Sequence, residues 1–143
     1  MVCRTLCVYN MKKTILRNTL FALLSAAFTG LAAEAVSDKL PPPSDKTGVT
    51  YEKDIKAIFD KSCLRCHGEQ KPKAKLRMDS LAGILKGGED GKVVIAGNSA
   101  KSPLVAAVAR VKEDEAMPPE GKGKPLTKEQ VGLIRSWIDQ GAK

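Results

Sequence analysis

Apolar residues recur at intervals of three and four positions in the segment that starts at Tyr51. They are Tyr51, Ile55, Ile58 and Phe59. This spacing places them on one face of a helix, and Thr50 before them is a residue type that caps helix N-termini. Glu52 and Asp54 add negative charge where the helix dipole is positive. The pattern predicts a helix that begins after Thr50 and runs directly into Cys63.

The C-terminal segment has the clearest helical pattern. Its sequence from Thr127 to Gln130 fits a capping box, in which two side chains satisfy free backbone groups at a helix start. The apolar stripe that follows consists of Val131, Ile134, Trp137 and Ile138. Gly141 is placed to end this helix. We expect Trp137 to lie in the core of the fold.

Two shorter helices are predicted between these segments. Asp79 or Ser80 caps the first, and the glycines at 87–88 end it. Ser102 caps the second, which has a proline at its first position. The buried face predicted for this second helix comprises Leu104, Val105, Val108 and Val111. Residues 93–95 are apolar and β-branched, and they predict a short extended piece.

Residues 1–35 predict a pre-sequence with a Sec-type export signal. The positive start consists of Lys12, Lys13 and Arg17. An apolar stretch over residues 19–33 follows, and Ala-Glu-Ala at 33–35 matches a cleavage pattern. Cleavage is expected after Ala33 or Ala35, and the true start is expected at Met11. We therefore expect an exported, periplasmic protein without a membrane span after cleavage; secretion or a short membrane anchor are the alternatives.

Two further regions are expected after the pre-sequence. Residues 36–49 contain three consecutive prolines at 41–43 and predict an extended, mobile linker. Residues 50–143 are predicted to form one domain, because a chain of 143 residues suits a single domain.

Composition excludes several classes of protein. Hydrophobic residues make up 43% and charged residues 28% of the chain, as in ordinary folded proteins. No apolar run reaches the about 18–20 residues of a membrane span, which excludes a multi-spanning protein. The net charge is +8, but basic and aromatic residues do not interleave as in nucleic-acid binders, so we expect no nucleic-acid partner. Aromatic residues are only 4%, so the core is thin and a bound group could complete it.

One short motif carries recognisable chemistry. Residues 63–67 read Cys-Leu-Arg-Cys-His, the C-x-x-C-H pattern at which c-type haem is attached. The spacing lets Cys63 and Cys66 each form a thioether with a haem vinyl group. His67 is the only histidine of the chain, and it can bind the haem iron as the proximal ligand. The motif predicts one covalently bound haem c, and the export signal agrees because such haem is attached outside the cytoplasm.

The sequence leaves three other interpretations of this motif. A thioredoxin-like C-x-x-C needs a βαβ setting. A zinc site needs about four protein ligands, whereas the motif offers two cysteines and one histidine. A chance match in a protein without haem is the third alternative.

Two methionines are candidates for the sixth, distal iron ligand. Met117 precedes two prolines, which stiffen a loop because each fixes φ. A stiff loop holds a thioether in place at low entropic cost, so Met117 is the expected ligand. Met78 is the alternative and is expected to be a packing residue. A five-coordinate iron to which neither methionine binds is the third alternative.

Taken together, these motifs resemble the Planctomycete-type cytochrome c domain over roughly residues 51–142. The segments that carry the resemblance are the helix at 55–59, the haem motif with its following glycine, Lys-Leu-Arg-Met-Asp at 75–79, the glycines at 87–88, Ser-Pro-Leu at 102–104, Met-Pro-Pro at 117–119 and Trp-Ile-Asp-Gln-Gly-Ala at 137–142. The resemblance implies an all-α, small cytochrome c-like domain wrapped around one covalent haem.

The expected function is one-electron transfer, with His67 and Met117 as axial ligands. An iron with both axial positions filled offers a substrate no open site, so we expect no catalytic residue and no enzyme. Weak peroxidase activity would require an open distal position. The alternatives are a five-coordinate haem sensor or peroxidase-like protein, and a haem-bearing docking module for a larger redox enzyme.

A basic segment follows the motif and predicts a surface for redox partners. Its charged residues are Lys71, Lys73, Lys75 and Arg77. Pro72 is expected to keep the segment extended. We expect these charges to orient an acidic redox protein near the haem edge, with a solvated loop as the alternative.

Overall fold

The structure is a computed structural model that describes residues 38–143. The predictions of an export signal, its cleavage and a start at Met11 lie outside the described residues. No helix among residues 38–143 is long and apolar enough to cross a membrane.

Within this range the fold consists of short helices and turns, with no strand. A π-helical turn, Tyr51–Ile55, continues into α1, Lys56–Ser62, and α2, Leu64–His67, follows. The remaining α-helices are α3, Leu81–Lys86, α4, Pro103–Val108, and α5, Lys128–Asp139. Two 3-10 turns lie at Lys73–Lys75 and Ser99–Lys101. The helical character expected from the sequence is confirmed for the described residues.

The first helical segment begins where the sequence predicts. The Thr50 hydroxyl accepts a hydrogen bond from the Lys53 amide at 3.4 Å. The Asp54 carboxylate accepts one from the Thr50 amide at 2.8 Å and another from the Lys46 ammonium at 2.5 Å. The bonds from the Lys53 and Thr50 amides satisfy backbone groups that the helix start leaves without partners. All four apolar residues predicted for this face are buried.

The core forms where this first segment meets α5. Thr127 and Gln130 make the predicted capping box, and the whole apolar stripe of α5 is buried. Trp137 is fully buried, and its ring centroid lies 6.2 Å from those of Tyr51 and Phe59. The Trp137 indole N–H donates to the Lys143 carbonyl at 2.9 Å, which holds the C-terminus against the core. The prediction that Trp137 is a core residue is confirmed.

The region around α4 differs from the sequence prediction. Ser102 precedes the helix, but its side chain makes no capping bond. Its hydroxyl instead accepts from the Ile95 amide and donates to the Asn98 carbonyl, both at 2.9 Å. Residues 93–95 are therefore held as an irregular segment and form no strand. Because α4 ends at Val108, the predicted helical face does not extend to Val111.

The described part of the predicted linker packs on α5. Leu40 is buried, and the Ser44 amide donates to the Gly132 carbonyl at 3.0 Å. The Ser136 hydroxyl donates to the Ser44 carbonyl at 2.5 Å, and the Arg135 guanidinium donates to the Pro41 carbonyl. These contacts join the segment to the domain, where the sequence predicted a mobile linker. Sequence composition carried no signal for them, because the bonds use backbone groups about 90 residues apart along the chain.

Candidate functional site: the Cys63–His67 motif and its cavity

The predicted haem motif forms part of the wall of an apolar cavity of about 250 Å³. Cys63, Cys66 and His67 line this cavity, and so do both Met78 and Met117. Its apolar wall includes Leu76, Val93, Leu104, Ala107, Val108 and Leu126. The structure thus brings every predicted ligand residue to the same cavity.

The end of α1 places the motif on this wall. The Cys63 amide donates to the Phe59 carbonyl at 2.8 Å, which continues the helical path. The Cys66 and His67 amides then both donate to the Cys63 carbonyl, at 3.1 and 2.9 Å. This single turn brings the two thiols and the imidazole together. Both cysteines are free and partly buried.

The His67 imidazole is oriented by a backbone carbonyl. Its Nδ1 lies 3.3 Å from the Leu76 carbonyl oxygen. With the proton on Nδ1, this nitrogen donates to Leu76 and Nε2 keeps a lone pair for a metal. The His67 carbonyl accepts from the Met78 amide at 2.8 Å, so the same segment also fixes the backbone of His67.

The environment of Cys63 bears on the redox and zinc interpretations. Burial raises the pKa of the Cys63 thiol to about 11. A redox-active C-x-x-C relies on a first cysteine with a lowered pKa, the opposite of the shift at Cys63, and on a βαβ setting, which residues 38–143 do not form. This part of the chain also contains no group of three or more His, Cys, Asp or Glu side chains arranged to hold a metal ion.

Met78 reaches the cavity from the core. Its side chain is only 2% exposed. Its amide donates to the His67 carbonyl, as described above, and its carbonyl accepts from the Tyr51 hydroxyl at 3.3 Å. Met78 is therefore fixed next to the histidine and packed among core residues.

Met117 reaches the cavity from a loop that is attached to α4. Its amide donates to the Ala107 carbonyl at 3.0 Å. The Arg110 guanidinium donates to the carbonyl of the next residue, Pro118, also at 3.0 Å. These two bonds fix the backbone of the loop, while the Met117 side chain remains 38% exposed.

The residues of the cavity fit a c-type haem. Two free thiols stand at the C-x-x-C-H spacing, and the adjacent histidine has a carbonyl partner that leaves its Nε2 available. Two methionines, Met78 and Met117, are also part of the wall, and the remainder is mainly apolar. Thiols, imidazole and thioether are the protein groups that bind this cofactor.

The basic segment after the motif is not extended, in contrast to the prediction. It forms a 3-10 turn at Lys73–Lys75, and φ is positive at Lys71. Arg77 is paired with Asp79 at 2.5 Å and lies 3.6 Å from Glu69, so its charge is largely compensated. The uncompensated positive charge of this segment is therefore smaller than the sequence predicted.

Sequence reasoning missed the groups that orient the predicted ligands. The carbonyls of Leu76 and Ala107 hold His67 and Met117, and backbone carbonyls have no residue signature. It also missed the location of Lys122, whose side chain lines the same cavity.

Comparison with known proteins supports one family. Residues 63–121 match the family model described as Planctomycete cytochrome C. Neither the search of curated proteins nor the search of solved structures returned a match. The matched segment runs from Cys63 past the loop of Met117, so it includes every candidate ligand of the cavity.

Proposed function

We propose that the chain is a mono-haem c-type cytochrome that carries single electrons outside the cytoplasm, because residues 63–121 match the family model described as Planctomycete cytochrome C. One observation carries the proposal. Cys63, Cys66 and His67 lie on one turn in the wall of an apolar cavity that Met78 and Met117 also line. The export signal predicted for residues 1–35 supports the proposed location.

The roles of the motif residues follow from their chemistry. When bound, haem supplies an iron that gains and loses one electron. Cys63 and Cys66 would hold it through two thioether bonds, and His67 would bind the iron through Nε2. With the proton on Nδ1, His67 would donate to the Leu76 carbonyl, and this bond would limit rotation of the ring. A ligand fixed in this way changes little between oxidation states, which favours rapid electron transfer.

We propose Met117 as the distal ligand. A distal ligand must approach the haem plane from the side opposite to the proximal histidine. Residues 76–78 are bonded to both the ring and the backbone of His67, which supports a position of Met78 on the proximal side. Met117 comes from the loop held on α4, a separate wall of the cavity. This arrangement favours Met117 over Met78.

A haem with His67 and Met117 bound has no open iron position, and we propose no catalytic residue. One observation favours a second candidate function. The Met117 side chain is 38% exposed, so it is less confined than a typical core methionine. A protein in which Met117 leaves the iron would be a five-coordinate sensor or a peroxidase-like protein.

We also propose that the remaining basic charge near the motif orients an acidic redox partner. In the described part of the chain, Lys71 and Lys73 have no ion-pair partner, and Lys75 is 3.9 Å from Glu89. Exposed charges of this kind contribute little binding energy individually. They act mainly on the rate of association.

A redox-poised visible spectrum of purified protein, combined with a pyridine haemochrome assay, tests the proposed function. We expect a c-type haemochrome at one haem per chain and, in the ferric protein, the weak long-wavelength band of a thioether bound to iron. A ferric spectrum without that band, together with ready binding of carbon monoxide to the ferrous protein, would support the five-coordinate alternative. Absence of haem from protein matured in a competent host would contradict the proposal.

A further inference from the structure

The Tyr51 hydroxyl is a polar group buried in the aromatic core. Tyr51 is 1% exposed, and its ring centroid lies 6.5 Å from that of Phe59 and 6.2 Å from that of Trp137. In the described part of the chain the hydroxyl makes one hydrogen bond, which it donates to the Met78 carbonyl at 3.3 Å. Burial raises the pKa of Tyr51 above its ordinary value, so the hydroxyl stays protonated and remains a donor. A phenylalanine would fill the same space without this bond, so packing alone does not require the hydroxyl.

Tyr51 is itself held by elements that lie apart from the cavity. It is the first residue of the π-helical turn, a rare geometry that is frequent at functional sites. Its amide donates to the Lys143 carbonyl at 2.8 Å, and the same carbonyl accepts from the Trp137 indole at 2.9 Å. The position of the hydroxyl is therefore set by α5 and the residues that follow it.

Residues 76–78 connect this hydroxyl to His67. The Met78 amide donates to the His67 carbonyl at 2.8 Å, and the Leu76 carbonyl oxygen lies 3.3 Å from His67 Nδ1. Among the described residues, Tyr51 and His67 are the only ones whose side chains bond to the backbone of this segment. The bond from Tyr51 therefore holds the far end of the segment whose near end orients the imidazole.

We propose that Tyr51 is a positioning residue for the proximal histidine: its hydroxyl fixes residues 76–78, and these fix the ring of His67 through the Leu76 carbonyl. This inference rests on the proposed function, because it takes His67 as a ligand of haem iron. A carbonyl that accepts from the second ring nitrogen makes a ligating histidine more basic. A more basic ligand stabilises ferric iron relative to ferrous iron. Loss of the Tyr51 hydroxyl should therefore weaken the bond to Leu76 and raise the reduction potential.

Tyr51→Phe in the haem-loaded protein tests this role, because it removes the hydroxyl and keeps the ring. We expect a higher reduction potential by redox titration. By NMR, the paramagnetically shifted Nδ1 proton of His67 should exchange faster with solvent, and the Met78 amide should exchange about fivefold faster, as loss of one hydrogen bond predicts. The Val131 amide, which donates to the Thr127 carbonyl in α5, should keep its exchange rate. Equal acceleration at Met78 and Val131 would show general destabilisation and overturn the proposal.

Ser99→Ala is the matched control, because it also removes a buried core hydroxyl. Ser99 is 1% exposed, and its hydroxyl donates to the Asp139 carboxylate at 2.8 Å and accepts from the Arg135 guanidinium at 3.1 Å. Neither bond involves the haem motif or residues 76–78. We expect this variant to lose unfolding free energy but to keep the parent's reduction potential and His67 proton exchange. An equal rise of the potential in both variants would overturn the role of Tyr51.

A second measurement decides the question if Tyr51→Phe does not mature. The chain has two tyrosines, Tyr9 and Tyr51, so biosynthetic replacement of tyrosine by 3-fluorotyrosine changes Tyr51 alone among the described residues. Fluorine withdraws electrons and makes the hydroxyl a stronger donor, so exchange of the Met78 amide should slow. An unchanged rate in this protein, or an unchanged potential in Tyr51→Phe, overturns the positioning role while haem remains bound. Failure of the proposed function differs, because the parent protein itself would then carry no haem.

Discussion

Met117 and Met78 both line the cavity, but Met117 lies on an exposed loop and Met78 is buried in the core. Met117→Ala removes a thioether from a loop at the surface. We expect it to abolish the thioether–iron band, lower the reduction potential and open the iron to cyanide and carbon monoxide. Absorption spectra of the ferric and ferrous protein report these changes.

Met78→Ala is the matched control for that variant. It truncates a side chain that is 2% exposed in the core, so we expect a loss of unfolding free energy of about 2–5 kcal/mol. The thioether–iron band should remain. If Met78→Ala removed the band while Met117→Ala preserved it, the distal ligand would be Met78.

At the residue scale, the sequence predicts which side chains could bind haem better than it predicts the backbone groups and ion pairs that orient those side chains. Cys63, Cys66 and His67 are recognisable because their spacing follows from the dimensions of haem. The Leu76 carbonyl that orients His67 is not recognisable, because any residue offers a carbonyl. Arg77 shows the converse: its charge is visible in the sequence, but its pairing with Asp79 and Glu69 depends on the fold.

The start of the first helical segment gives a pH-dependent prediction. A hydrogen bond from Lys46, then one from the Thr50 amide, lowers the pKa of Asp54. A carboxyl with a lowered folded-state pKa stabilises the fold above its ordinary pKa, and this contribution is lost as the pH falls through the folded-state pKa. Asp54→Asn should therefore destabilise the protein near neutral pH and have little effect in acid.

Urea unfolding of the parent and of Asp54→Asn across this pH range measures the effect. Glu52→Gln is the control, because Glu52 lies in the same turn, is exposed and has no ion pair among the described residues. A destabilisation by Asp54→Asn that stayed constant from neutral to acid pH would show that the carboxylate charge is not responsible.

Gly87, the residue that follows α3, gives a prediction about the stability of the turn at the end of this helix. Gly87 has φ 86° and ψ −171°, a region open essentially only to glycine. A Cβ there would lie 2.2 Å from the Gly91 carbonyl oxygen. Gly87→Ala should cost about 1–3 kcal/mol from backbone strain alone, and more from the clash.

Gly91→Ala is the control, since Gly91 also has positive φ but no atom lies within 4 Å of its added Cβ. Thermal or urea unfolding should rank Gly87→Ala as the less stable variant. Equal stability of the two would show that the turn relaxes to accommodate the Cβ.

At the element scale, short sequence patterns predict the start of some helices but not the contacts around others. The Thr127–Gln130 capping box and the Thr50 cap operate within one turn, so the sequence predicts both. The role of Ser102 depends on Ile95 and Asn98, which a different fold would place elsewhere. The packing of residues 40–44 on α5 likewise depends on contacts between distant parts of the chain.

For the whole molecule, the proposed docking surface predicts an effect of salt on electron transfer. The bimolecular rate with an acidic acceptor should fall as ionic strength rises, since salt screens exposed charges. Lys71→Gln combined with Lys73→Gln should lower the rate at low salt and weaken its salt dependence. Arg77→Gln should have a smaller effect, because Arg77 is already paired.

Stopped-flow kinetics at several salt concentrations checks this prediction. A rate that does not change with salt, or that is equally affected by all three substitutions, would remove the docking role. The electron-carrier proposal would stand, since it depends on the haem ligands.

The mass of the denatured protein tests the central claim most directly. From a host whose haem-attachment machinery matures a control cytochrome, we expect the chain plus one haem, with the haem retained on the peptide of residues 63–67 after digestion. Cys63→Ala combined with Cys66→Ala should lack that haem. A colourless parent chain in which both Cys63 and Cys66 react with a thiol reagent would contradict the account.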